Sequence, residues 1–115
     1  MKADAAVVLL SALAQQSRLA IFRLLVEKGP EGLPAGQIAA RLKLSPATLS
    51  FHLKELSHAG LTESSQDGRF VIYSANFVAM NKLIAFLTRN CCAGSACAPD
   101  GSVCLPTTTV ARSRR

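Results

Sequence analysis

Leu49, Leu53 and Leu56 stand four and then three residues apart, the spacing of one face of an α-helix, with polar or small residues mostly between them. The ends of this helix are written into the chain. Ser45 can accept from the first free backbone N–H groups, Pro46 suits the first helical position, and Gly60 supplies a left-handed terminator. Stepping about 100° per residue puts Ala47, Phe51, Lys54 and His58 opposite the leucine stripe, with Thr48 and Ser50 at its borders. A cation, an imidazole, an aromatic ring and hydroxyls make an unusual face for a helix that has only to be soluble.

A shorter helical pattern, Pro34 to Leu42, precedes it, with Ile38 and Leu42 on one side and only Lys43-Leu44 as a turn. Two helices joined in this way form a helix-turn-helix. After Leu61, the runs Thr62 to Gln66 and Arg69 to Ser74 flank Asp67-Gly68, a strong hairpin signal, and the second run is β-branched and aromatic. Upstream, the segment up to Gln16 makes a good helix leading into the next, and Ser17 is expected to cap a second that runs to about Glu27, with Arg18 and Arg23 on its polar side. Lys28-Gly29-Pro30-Glu31-Gly32 breaks that helix. Asn76 to Asn90 predicts a last helix whose apolar positions cover most of its circumference. So small a domain cannot bury such a helix alone, which predicts that one face packs on the core and the other on a second subunit. The fold class is therefore mainly α with a small β-hairpin, a dimeric winged helix-turn-helix.

Composition sharpens this picture. One domain of 115 residues, half of them apolar but only 5% aromatic, suits Leu/Ala-rich helices better than a β-sandwich. The net charge of +6 includes Arg112, Arg114 and Arg115 near the end, yet the first 90 residues remain basic without them. A basic surface fits a polyanion, and neutralised phosphates are the general source of such affinity. Lys2 and the apolar start mimic a short signal peptide, but Asp4 interrupts it and the basic end is a single lysine, so a cytoplasmic protein is expected. The last helix is too short, and too interrupted by Asn81 and Lys82, to span a membrane.

Ser50-Phe51-His52-Leu53-Lys54-Glu55-Leu56, then Ala59-Gly60-Leu61, then Asp67-Gly68-Arg69 and Tyr73, resemble the ArsR/SmtB family of bacterial metal-responsive repressors from about Leu9 to Asn90. The resemblance implies a homodimer that places the second motif helix in the major groove of double-stranded operator DNA, with half-sites about one turn (~34–36 Å) or a multiple apart. The candidate DNA-contacting residues are Ser45, Ala47, Thr48, Ser50, Phe51, His52, Lys54 and Arg69. Hydroxyls and Lys54 can donate to bases or phosphates, and Phe51 can meet thymine methyls or sugars. Arg69 stands at the wing tip. His52 lies at the edge of the buried stripe, where a packed, hydrogen-bonded histidine is the competing reading. His58, in the last turn, reads as a solvated end residue that favours the helix dipole.

Four cysteines, Cys91, Cys92, Cys97 and Cys104, fall in the last quarter of the chain, in a stretch (91–115) whose Gly, Ala, Ser, Thr and Pro content predicts a flexible tail after a domain of residues 1–90. Clustering of this kind reads as a site in a reducing compartment and not as a disulfide framework. Three thiolates make a soft site of low coordination number, which suits trivalent arsenic or antimony. The pattern resembles arsenite-responsive members of the family. Carried over by position, the ligands are Cys91, Cys92 and Cys97, with Cys104 spare or replacing Cys97, and As(III) or Sb(III) acts as inducer with no organic cofactor. The first motif helix lacks cysteine and the last helix lacks His, Asp and Glu, so other metal sites common in the family are missing. A thiol-redox sensor and a structural zinc knuckle remain open, although zinc prefers cysteine pairs with about two to four residues between them, whereas here the first pair is adjacent and Cys97 and Cys104 have six residues between them. No phosphate- or oxyanion-binding loop and no recognisable base accompanies the thiols, so no enzyme activity is expected.

Overall fold

The computed structural model describes residues 1–91. The order of elements is α1 (Ala3–Leu13), α2 (Gln16–Lys28), β1 (Leu33–Pro34), α3 (Ala35–Leu42), α4 (Pro46–Ala59), β2 (Thr62–Asp67), β3 (Phe70–Ala75) and α5 (Phe77–Thr88). Ile21 and Leu25 of α2, Leu33 of β1, Ile38 of α3, Leu49 and Leu56 of α4, and Leu61 just after α4 are fully enclosed. Each such side chain stabilises the fold by roughly 1.5–3 kcal/mol before entropy is counted. They form one centre, against which α1 and α5 add Ala6, Leu9 and Leu83.

The caps explain the boundaries. Ser45 Oγ accepts from the Thr48 N–H at 3.2 Å and starts α4. Gly60, at φ 88°, ends it: its N–H reaches the Ser57 carbonyl, and the Leu61 N–H reaches the Leu56 carbonyl. This is the paired-bond arrangement that goes with a left-handed terminal residue, and the enclosed Leu56 and Leu61 supply its usual apolar contact. The second helix departs from expectation. It is capped by Gln15, whose side chain accepts from the Arg18 N–H at 2.8 Å, so Ser17 falls inside the helix. The turn between α3 and α4 is made by Lys43 at φ 56°, a left-handed conformation that residues with a Cβ seldom adopt.

The wing contains a strand that the sequence reading lacks. Leu33 and Pro34 pair with Tyr73 and Ile72, giving a three-stranded antiparallel sheet in the order β1-β3-β2. Pro34 is tolerated because β1 lies at the sheet edge, where a missing N–H costs no ladder bond. Gly32, at φ +70°, leads into it, and a Cβ there would run into the Tyr73 carbonyl oxygen. The hairpin turn also sits one residue later than Asp67-Gly68. Asp67 pairs with Phe70, which leaves Gly68 and Arg69 at the centre. Only Gly68 has positive φ, at 63°, and a glycine first in a two-residue loop matches the twist of the flanking strands.

Asn76 joins the two ends of the wing. Its Oδ1 accepts from the Ala79 N–H at 3.1 Å and caps α5, while its Nδ2 donates to the Gly60 carbonyl at 2.9 Å. Its backbone N–H donates to Leu61 at 2.8 Å. The start of α5 is thereby fixed to the end of α4. Along α5 only Leu83 is buried, and Val78, Ile84 and Leu87 are 50–64% exposed. On α1, Val7, Val8 and Leu10 are exposed in the same way. Two apolar helices that touch each other are thus left half uncovered in the single chain. Among the described residues no single helix is long and apolar enough to cross a membrane.

Candidate functional site

The capped helix α4 turns its leucines inward and leaves Ser45, Ala47, Thr48, Ser50, Phe51 and Lys54 exposed. Phe51 is 56% exposed, a large apolar surface on an otherwise polar face. A water-facing helix gains nothing from it, whereas a groove floor of thymine methyls and sugars would cover it. Ser45 serves the cap first. Its oxygen accepts from the Thr48 N–H and its proton goes to Thr48 Oγ1 at 2.8 Å, so within this pair Thr48 keeps a proton to donate outward. Arg69 is exposed at the centre of the wing turn, beside an exposed Phe70. His58 is exposed in the last turn of α4.

His52 is a correction. The sequence pattern makes it a candidate DNA contact, but only 8% of its surface is exposed. Its Nδ1 lies 3.4 Å from Nη1 of Arg18, and its ring meets Phe51 edge-on at 5.5 Å between centroids. One residue beyond Phe51, the helix has already rotated the side chain into the seam with α1 and α2, out of reach of a base edge. Arg18 is corrected with it: expected on the polar side of its helix, it is half-buried in that seam. Two exposed cations escaped the sequence reading, Arg41 in the last turn of α3 and Lys43 in the turn. They lie within a few residues of the α4 cap, where a phosphate backbone passing the helix N-terminus would run. Two basic residues bracketing so short a turn were the available signal.

The cysteine site is described only at its first member. Asn90, at φ 58°, turns the chain sharply after α5, and Cys91 follows half-buried. Cys92, Cys97 and Cys104 lie outside the described residues. Within those residues no three His, Cys, Asp or Glu side chains converge to hold a metal ion. A soft-metal site built within one chain therefore has to draw on the later cysteines, all of which are thiol donors.

Comparison with known proteins fits this geometry. Residues 13–65 match a helix-turn-helix domain family. The chain is 34% identical over 87 residues to the transcriptional activator HlyU of Vibrio cholerae, covering 76% of this chain and 78% of that protein. It is similar in structure to an ArsR-like transcriptional regulator from Rhodococcus sp. RHA1, with a TM-score of 0.66, 30% identity and coverage of 75% and 78%. A homodimeric winged helix-turn-helix DNA-binding domain from Mycobacterium bovis, described as a possible ArsR-family regulator, superimposes with a TM-score of 0.60 at 26% identity, covering 76% and 81%. A protein described as a possible transcriptional regulator for arsenical resistance gives a TM-score of 0.59 at 27% identity, covering 67% and 77%.

Proposed function

This chain belongs to the ArsR-like family of winged helix-turn-helix transcriptional regulators, and from that premise we propose that it is a homodimeric repressor released from its operator by trivalent arsenic or antimony held by Cys91, Cys92 and Cys97. The observation that carries the DNA half of this reading is the exposed face of α4, with Phe51 and Lys54 turned outward over a fully enclosed leucine stripe. Lys54 and Arg69 supply charge to phosphates, while Thr48, Ser50 and Phe51 are set to read base edges.

The dimer is supported by the half-uncovered apolar surfaces of α1 and α5 and by the homodimeric state of the Mycobacterium bovis domain. The metalloid half is supported by the sequence clustering of Cys91, Cys92, Cys97 and Cys104 after α5 and by the similarity to a possible regulator for arsenical resistance. HlyU is named an activator, so the direction of regulation belongs to the proposal.

A ligand can shift a two-pose equilibrium only by its difference in affinity for the two poses, commonly about 1–3 kcal/mol or 5–150-fold. Cys91 follows directly on the end of α5, and a ligand shared by it and the cysteines after it in sequence would create that difference. Closing them on one centre constrains the chain where the proposed dimer helix stops. By reciprocity, bound operator weakens metalloid binding by the same factor.

The test is titration of arsenite, zinc and peroxide into the protein–operator complex, with reductant present for the metals and absent for peroxide. Serine variants of each cysteine follow. The proposal expects release by arsenite in the reduced protein, loss of the response in Cys91→Ser, Cys92→Ser and Cys97→Ser, and most of it retained in Cys104→Ser. Release by peroxide alone would assign the thiols to redox sensing instead. Unfolding on chelation would assign them to a zinc staple.

A further inference from the structure

Arg18, near the start of α2, ties its own helix to two others. Its Nε donates to the Ala12 carbonyl near the end of α1 at 2.7 Å, and its Nη1 lies 3.4 Å from Nδ1 of His52 in α4. A guanidinium has only donors, so in a hydrogen bond between the two Nδ1 is the acceptor. The planar fork sets the direction of both contacts together, which a flexible ammonium would not do. His52 is enclosed on the recognition helix next to Leu53, and its neighbour Phe51 is the most prominent apolar group on the exposed face. A rotation of α4 that swung Phe51 and Lys54 towards or away from a duplex would have to drag His52 past the guanidinium.

We propose that Arg18 is a positioning residue for the recognition helix. By holding His52 against the corner of α1 and α2, it fixes the rotation of α4 about its own axis, and with it the direction in which Phe51 and Lys54 meet DNA. This rests on the reading that α4 enters a DNA groove. It goes beyond that reading by giving control of the helix pose to a side chain that touches no nucleic acid, and by routing that control through α1.

The probe is a duplex selected from a randomised pool by the wild-type protein. Binding is read by fluorescence anisotropy across a salt series, at a temperature where circular dichroism shows every variant folded. Arg18→Met is expected to weaken binding about tenfold, the scale of coupling between directly contacting residues. The slope of log affinity against log salt should not change, because no phosphate contact is lost. His52→Leu should weaken binding comparably, and the double variant should be no worse than either single one. His52→Asn, whose Oδ1 stands close to the place of Nδ1, should stay near wild type. The pair His52→Leu and His52→Asn carries the test by itself if Arg18→Met does not fold.

Lower melting temperatures with unchanged affinity in the folded variants would overturn the proposal and leave a purely structural contact. A salt slope smaller by about one in Arg18→Met would overturn it by making Arg18 a phosphate contact. Equal weakening by His52→Asn and His52→Leu would also overturn it. If the wild-type protein enriches no duplex, the DNA reading itself fails and the role of Arg18 falls with it. If a duplex is bound and Arg18→Met binds it as tightly as wild type, only the role of Arg18 fails.

Discussion

Replacing Ile84 by alanine should loosen the proposed dimer far more than it disturbs the subunit. Ile84 lies on α5 and is 50% exposed in the single chain. Full burial of an isoleucine side chain contributes about 1.5–3 kcal/mol, so the half still in water has about 0.8–1.5 kcal/mol left to gain. A two-fold interface uses every residue twice, so the loss per dimer is about 1.5–3 kcal/mol. At about 1.4 kcal/mol per factor of ten, the dimer dissociation constant should rise about 10- to 150-fold. The subunit itself should change little, because a half-exposed position on a helix surface ordinarily contributes within about 0.5 kcal/mol to folding. Leu19 of α2 is a matched control: it is 44% exposed but lies on neither α1 nor α5. Sedimentation equilibrium over a concentration series reads the constant directly. If Ile84→Ala leaves it within twofold of wild type, or if Leu19→Ala shifts it as much, then α1 and α5 do not form the interface.

Three further outcomes follow from individual contacts. Lys54→Ala should weaken duplex binding across sequences and lower the salt slope by about one in anisotropy titrations, while arsenite affinity of the free protein stays the same. Asn76→Ala removes the cap of α5 together with its bond to the Gly60 carbonyl, and should cost about 1–2 kcal/mol in urea unfolding. Gly32→Ala forces a Cβ into the Tyr73 carbonyl at a left-handed φ, and should lower stability by at least about 2 kcal/mol, seen as a melting temperature reduced by roughly 8 °C or more.

Local chemistry made α4 readable in the sequence: a serine, a proline one residue later and a glycine fourteen residues after that each act within a turn of where they stand. The hairpin was readable for the same reason, but its turn was placed one residue early. An Asp-Gly pair does not state whether glycine is the first or second central residue, and register is decided by the pairing of Asp67 with Phe70. The strand β1 left no local mark. Two residues, one of them proline, become a strand only because Gly32 lets the backbone lie against Tyr73. His52 shows the same limit within the candidate site. Helical angle placed it on a border, and a residue thirty-four positions away, Arg18, decides which side of the border it occupies. The metalloid site rests on the clustering of thiols in the sequence and on the family resemblance, and three of its four candidates lie beyond residue 91.

The position of the recognition helix is set from both directions by the two helices with uncovered apolar faces. At its C-terminal end, the bonds from Asn76 to Gly60 and Leu61 tie α4 to the first turn of α5. At its middle, His52 meets the guanidinium that also holds the Ala12 carbonyl of α1. If α1 and α5 pair with their copies in a dimer, a change in that pairing reaches α4 through these two hydrogen-bonded attachments. Close-packed interiors transmit such a change instead of absorbing it, and seven side chains of the core are fully enclosed. A small change where α5 ends, next to Cys91, would therefore be felt as a change in the separation and rotation of two distant DNA-facing helices. That consequence requires the dimer interface to be formed by α1 and α5.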